Sequence, residues 1–276
     1  MRIFITGNKG QLGRALHQRL PEAAGADLPE VDITQLDSIA AALRAARPEV
    51  VIHCAAYTDV DGAARDPETA YRVNGLGTQN VALACAEVNA ALVYISTNEV
   101  FAGDLSEPYS EFHLLGPPNP YARSKAAGEW FTMHLAPRFY IVRTAWLSAA
   151  GGRNFVHRIQ QLADTHGRLQ VVTDEVANPT FAGDLVPALL NLIDSRHPGI
   201  YHLTNAGYCS RYDLARKILA LSGRGHIPVE PISLAQYPRP SRPPRFSALA
   251  NTAAAALGIT LRPWEAALDE FLHSSA

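Results

Sequence analysis

Tyr121 and Lys125 stand four residues apart in Tyr121-Ala-Arg-Ser-Lys125, inside a stretch from Asn119 to Leu135 with helical patterning. Four residues are about one helical turn, so the phenol and the ammonium share a face. The pair can do acid–base work. A free tyrosine titrates near ~10, too high for efficient proton exchange around neutrality, and a neighbouring ammonium favours the phenolate and lowers that value. A hydroxyl opposite the phenol would orient a carbonyl oxygen between the two. Ser96 and Thr97, at the end of the apolar run that starts at Leu92, are both placed for this. The three groups together could protonate the oxygen of a carbonyl under reduction. The same tyrosine–lysine spacing is common on solvated helices. What lifts it here is its order along the chain, after a glycine turn and a Ser-Thr strand end.

That turn holds Gly7, Gly10 and Gly13, between the apolar run Arg2–Thr6 and an amphipathic stretch from Gln11 to Leu20. Glycines here let backbone N–H groups approach a pyrophosphate, and the helix start adds partial positive charge. The expected ligand is a nicotinamide dinucleotide, NADH or NADPH. Such sites carry an acid roughly 20 residues on for the adenosine ribose. Asp27, fourteen residues past Gly13, is one candidate; Asp32, followed by Ile33 and placed beside the adenine, is the other. A carboxylate there favours NAD by repelling a 2′-phosphate. No arginine occupies this loop, and Arg14 and Arg44 stay open as 2′-phosphate partners. The plain alternative for either acid is a solvated loop residue.

The elements that must hold these residues follow from the pattern of apolar runs. Strands are predicted at Arg2–Thr6, Ala24–Leu28, Val50–His53, Leu92–Ser96 and Phe139–Thr144, alternating with helices: Gln11–Leu20, one capped by Thr34, a long one over Gly62–Asn89, and Asn119–Leu135. Apolar strands separated by helices predict an α/β protein with a doubly wound parallel sheet of the Rossmann type. After Thr144 the regularity falls. Helices are expected at Asn154–His166, Asp184–Asp194 and Tyr212–Leu221, strands at Leu169–Val172 and Gly199–Leu203, then a stretch rich in proline and arginine, Tyr237–Arg245. The expected division is a dinucleotide-binding unit over 1–148, rejoined by segments near 169–206, with a smaller substrate-binding lobe from 149–168 and 207–276.

Composition narrows the classes. With 276 residues, 47% hydrophobic and 18% charged, the chain is globular. A net charge of -2 gives no basic field for nucleic acid. No apolar run approaches the ~18 residues of a membrane span, and the N-terminus does not read as a signal peptide. Cys54, Cys85 and Cys209 fit no zinc spacing, and the ten histidines form no H-x-x-x-H pair, so no metal is expected. Reduced thiols and the absence of a targeting signal point to the cytoplasm.

With these residues in view, the sequence resembles the extended short-chain dehydrogenase/reductase family and, within it, the dTDP-4-dehydrorhamnose reductases, over almost its whole length. The resemblance rests on Thr6-Gly-Asn-Lys-Gly-Gln-Leu-Gly13, Ala55-Ala-Tyr-Thr-Asp-Val-Asp61, Ser96-Thr97 with Val100-Phe101, Asn119–Glu129, Arg143-Thr-Ala-Trp146, Asn154-Phe155 and Pro179-Thr180. It implies reduction of the C4 keto group of a nucleotide-linked sugar by NADH or NADPH. Thr97 would polarise the carbonyl, Tyr121 donate the proton and Lys125 assist it. Gly7, Gly10, Gln11, Leu12 and Gly13 would cradle the pyrophosphate; Ala55, Ala56 and Tyr57 would line the ribose and nicotinamide. Thr58, Val60, Trp146 and Asn154 would meet the sugar nucleotide, and Arg242, in Arg242-Pro243, its diphosphate. Trp146 also reads as a core aromatic, Asn154 as a helix cap, and Arg239 and Arg245 as loop residues held extended by prolines. Many members carry Asp-Tyr where this chain has Asn98-Glu99, which bears on the sugar more than on the reaction. The partner implied is the nucleotide-sugar, and a homodimer is compatible with the resemblance. Two rival readings are a reductase or epimerase of another nucleotide-sugar, and a non-catalytic NAD(P)-binding regulatory subunit.

Overall fold

In the computed structural model, which describes residues 1–152 and 154–274, the apolar runs form a six-stranded sheet. Its strands are β1 (Ile3–Thr6), β2 (Ala24–Ala26), β3 (Val50–His53), β4 (Ala91–Thr97), β5 (Phe139–Thr144) and a later edge strand, Gly199–His202. The order across the sheet is Gly199–His202, β5, β4, β3, β1, β2, with every neighbouring pair parallel. All four residues of β1 and of β3 are buried, because helices cover both faces. Ile3 and Ile5 pack on one face with Leu16, Ile52 and Leu189, while Phe4 packs on the other with Ile39, Leu43 and Val51. The chain runs outward from β1 to β2 and then crosses to β3 on the far side of β1. A crevice therefore opens beyond the carboxyl ends of β1 and β3, the position at which such sheets bind ligands.

Two helices differ from expectation. Thr34 does not cap the helix α2 (Leu36–Ala46). Its N–H and hydroxyl both go to Asp32 Oδ1, at 2.9 and 2.8 Å, in a local turn that delays the helix. The long helix expected over Gly62–Asn89 is broken into Val60–Arg65, Pro67–Tyr71, a π-helical turn at Arg72–Leu76, and Gly77–Glu87. The break follows from Asp66-Pro67. Proline offers no N–H to the preceding turn, and the Asp66 carboxylate caps the restarted helix through Thr69 N at 3.0 Å.

A second core is built by the helices Phe155–His166, Arg211–Leu221 and Trp264–Ser274, through Val156, Ile159, Leu214, Ile218 and Leu268. Of the late segments, the helix Ala182–Ser195 and the strand Gly199–His202 join the first core through Leu185, Leu189, Leu192 and Tyr201. Leu169–Val172 instead pairs in parallel with Val229–Ile232, and its Leu169 and Val171 lie in the second core. No described helix is long and apolar enough to cross a membrane.

Candidate active site

The glycine turn is shaped for close approach. Gly7 has φ +67, and a Cβ there would lie 2.5 Å from Ala55 N, so the turn after β1 nests against the chain leaving β3. A Cβ at Gly13 would lie 2.2 Å from Gly7 O. Gly10 is the N-cap of the helix α1 (Gln11–Arg19) and offers no side-chain cap, so no side chain of its own stands over the helix start. This side-chain-free cradle fits a dinucleotide pyrophosphate. At the end of β2, Asp27 accepts Lys9 N at 3.1 Å and Leu28 N at 2.9 Å, directly beside the turn. Asp32 lies farther along, spent on Thr34, and Ile33 is buried with its carbonyl held by Asn80 Nδ2 at 2.9 Å. Ala55, Ala56 and Tyr57 follow β3 in a loop clamped by the buried Asn74, which accepts Tyr57 N at 2.8 Å and donates to Tyr57 O at 3.0 Å. Asn74 sits in the π-helical turn and also reaches Ser124 Oγ at 2.9 Å, tying this loop to the helix that carries Tyr121.

Thr97, Tyr121 and Lys125 meet at the carboxyl end of β4. Asn119 caps the helix Pro120–Leu135 through Ala122 N at 2.9 Å and so fixes where Tyr121 begins its first turn. The Tyr121 phenol lies beside the Thr97 hydroxyl. The phenol is pushed above the ordinary tyrosine value, first by burial and then by the charge of Glu99, with Thr97 opposing. Lys125 Nζ donates to Ile95 O at 2.7 Å and sits 4.2 Å from the centre of the Tyr94 ring. Burial lowers Lys125 to about 7, against the pull of Glu129. The sequence pattern suggests an ammonium acting on the phenol; in the structure Lys125 donates to a main-chain carbonyl, and burial together with Glu99 holds the phenol above its ordinary value. Beside them His53, held between Thr6 Oγ1 at 2.7 Å and Thr78 Oγ1 at 3.2 Å, is driven to about 3 by burial and by Lys125, and stays neutral.

One helical turn past Lys125 the character changes. Glu129 receives Arg143 Nε at 2.9 Å, Arg143 Nη2 at 2.7 Å and Ser96 Oγ at 2.5 Å, with both charged side chains buried. Arg143 also lies 5.1 Å from the Phe101 ring centre and 3.4 Å from His202 Nε2. This bidentate pair locks β4, β5 and the Tyr121 helix together.

A cavity of about 1000 Å³ adjoins the site, lined by residues including Trp146, Asn154, Glu175, Arg211, Tyr237 and Arg239. Trp146 takes a left-handed backbone, φ 42, and the Arg211 guanidinium stacks 3.6 Å from the centre of its ring. Arg211 pairs with Glu175 at 2.9 Å, and Arg239 with Asp61 at 3.0 Å. Asn154 both caps its helix, through His157 N at 3.1 Å, and lines the cavity. Arg242 is exposed, and only its carbonyl reaches inward, to Asn119 Nδ2 at 3.3 Å. Val60 opens the short helix after the Tyr57 loop, and Thr58 is exposed on that loop. Arg211 and Glu175 carry no sequence signal; each is one charge in an unremarkable segment. Arg239 reads from sequence as a loop residue and turns inward because Asp61 waits for it.

The family model described as the RmlD substrate binding domain matches residues 1–276. The dTDP-4-dehydrorhamnose reductase of Mycolicibacterium smegmatis is 41% identical over 98% of this chain and 84% of its own length. Among solved structures, a dTDP-4-dehydrorhamnose reductase from Clostridium acetobutylicum shares 38% identity with a TM-score of 0.95, covering 99% of both chains. That from Bacillus anthracis, in complex with NADP, shares 37% identity and the same TM-score, again over 99% of both.

Proposed function

The chain belongs to the RmlD substrate binding domain family, and from that premise we propose that it reduces the C4 keto group of dTDP-4-dehydro-L-rhamnose to give dTDP-L-rhamnose. The observation that carries this is the meeting of Thr97 and Tyr121 at the carboxyl end of β4, between a side-chain-free glycine cradle and a cavity walled by Trp146 and two arginines. When bound, NADH or NADPH supplies the hydride. Thr97 Oγ1 accepts Glu99 N at 3.2 Å and donates to Asn98 Oδ1 at 3.3 Å, and its hydroxyl would turn from Asn98 to the substrate carbonyl oxygen when the sugar binds. Tyr121, held protonated, gives its phenolic proton to that oxygen as it becomes an alkoxide. Lys125 would bond the nicotinamide ribose. Gly7, Gly10, Gln11, Leu12 and Gly13 would hold the pyrophosphate, Asp27 the adenosine ribose, Asp32 and Ile33 the adenine edge, and Ala55, Ala56 and Tyr57 the nicotinamide half. Thr58, Val60, Trp146 and Asn154 flank the sugar nucleotide. Arg211 and Arg239 offer forked donors to its diphosphate, with Arg242 at the rim. We place the reaction in the cytoplasm, where nucleotide-linked sugars and reduced nicotinamide meet.

The test follows NADH and NADPH oxidation at about 340 nm, the nicotinamide absorbance, with enzymatically prepared dTDP-4-dehydro-L-rhamnose. Turnover yielding dTDP-L-rhamnose is expected. Cofactor binding without turnover would overturn the substrate assignment and favour another nucleotide-sugar or a regulatory role. The faster cofactor reports whether Asp27 selects against a 2′-phosphate.

A further inference from the structure

Glu99 follows Thr97 by two residues, on the single 3-10 turn that ends β4. One of its oxygens, Oε2, accepts Asn119 Nδ2 at 2.7 Å. Neither arginine nearby reaches it: Arg211 is committed to Glu175 and the Trp146 ring, and Arg239 to Asp61. A carboxylate offers roughly four acceptor positions, and the described residues fill one. The groups whose charges act on it are Glu175, Arg239 and Arg211, which line the cavity, and its own charge acts on Tyr121 in turn. Glu99, whose N–H donates to Thr97 Oγ1 at 3.2 Å, is therefore within electrostatic reach of both the proton donor and the charged wall of the cavity, with acceptor capacity that Asn119 does not fill. Burial pushes its carboxyl up to about 7, Asn119 opposing and Glu175 adding, as expected of an acid whose hydrogen bonding is incomplete.

We propose that Glu99 is a specificity-determining residue whose carboxylate accepts the sugar hydroxyl on the ring carbon next to the reacting carbonyl. The assignment rests on the proposed function, because it takes the C4 oxygen to lie between Thr97 and Tyr121. In such a sugar one neighbour of C4 carries a hydroxyl and the other a methyl-bearing carbon. A carboxylate beside the carbonyl can bond the first and is left desolvated and unpaired by the second. Glu99 thus fixes which way round the ring lies and so which face of C4 is presented. A site built to bond a hydroxyl rejects the analogue that lacks it far more strongly than an apolar wall would.

The experiment compares kcat/KM for dTDP-4-dehydro-L-rhamnose and its 3-deoxy analogue in wild type, Glu99→Gln and Glu99→Leu, with thermal stability measured alongside. Wild type should prefer the hydroxylated sugar by about tenfold or more. Glu99→Leu should level the two to within roughly twofold, and Glu99→Gln, which keeps the Asn119 bond and a neutral acceptor, should fall between. A merely structural Glu99 would alter stability and leave the ratio where it was. Undiminished preference in Glu99→Leu, or no preference in wild type, overturns the assignment. If Glu99→Leu does not fold, an unchanged ratio in Glu99→Gln does so. Failure of wild type to reduce the parent sugar is a separate outcome, and it removes the proposed function together with this inference.

Discussion

Lys125 and Glu129 lie one turn apart on the same helix, both buried, yet their surroundings could hardly differ more. Glu129 is met by two guanidinium nitrogens and a hydroxyl. Lys125 is met by one carbonyl and the face of a tyrosine ring, and its proton is weakly held as a result. Around Glu129 every strong electrostatic demand is answered from within the protein. Around Lys125, Tyr121 and Glu99 it is not, and the shortfall appears as three displaced titrations in one cluster. Buried ionisable groups left short of partners cost stability. Their concentration in the crevice, beside a completed pair that fastens the sheet, separates what holds the fold from what awaits a ligand.

The sharpest way to break this contrast is to remove one polar group from each cluster. Tyr121→Phe should lower kcat by roughly 10²–10⁴-fold, the range for a lost general acid, while thermal unfolding stays at or above that of wild type. If steady-state kinetics showed less than a tenfold loss, Tyr121 would not be the proton donor. Glu129→Ala should do the reverse in kind. It strands Arg143 in the core and should cost about 3–5 kcal/mol of unfolding free energy, read by urea titration. The Glu129→Met/Arg143→Met double variant should recover much of that loss, since no charge is then left unpaired.

The two clusters were not equally legible in the amino-acid sequence. Tyr121, Lys125 and Thr97 announce themselves by spacing and by position at strand and helix ends, and the sheet that carries them is readable because doubly covered strands are near-continuous apolar runs. The partnership of Glu129 with Arg143 has no local signature; one residue lies on a helix and the other on a strand, and only the parallel register of β4 and β5 brings Ser96 opposite Arg143. The same holds in the lobe. Nothing in Tyr237–Arg245 distinguishes the arginine that turns inward from those that face water, because the choice is made by Asp61, far away in the chain. Asp66-Pro67 was legible in principle, as an acid followed by a proline inside a predicted helix, a stop and a restart together.

Glu99 gives a finer test, through pH. Its folded-state value is raised from 4.5 to about 7, chiefly by burial. Below about 4.5 the carboxyl is protonated folded or unfolded and contributes nothing. As pH rises toward 7 the unfolded chain ionises first, so stability falls across that window and stays reduced above it. Glu99→Gln removes the titration and keeps an acceptor for Asn119. It should match wild type near pH 4 and exceed it near pH 8, by roughly 1–3 kcal/mol. Unfolding curves at the two pH values decide it: an equal offset at both would mean that Glu99 is fully satisfied and belongs with Glu129.

Asn119 joins the clusters, and its removal should have the smallest effect on stability. Its side chain caps the Tyr121 helix at Ala122 N and at the same time supplies Glu99 with its hydrogen bond. Asn119→Ala should cost about 1 kcal/mol through the lost cap. It also takes from Glu99 the hydrogen bond that, with the charges of Arg239 and Arg211, favours its ionised form, so the Glu99 carboxyl should titrate higher still and the pH-dependent loss of stability should extend above 7. Asn119→Ser separates the two roles, since serine caps well but is too short to reach Glu99 from the same backbone position. That variant should keep the stability of wild type near pH 4 and lose it relative to wild type near pH 8. Equal stability at both values would show that Glu99 draws on solvent rather than on Asn119, and the division between a satisfied foundation and an unsatisfied site would then run between Glu99 and Tyr121 rather than around both.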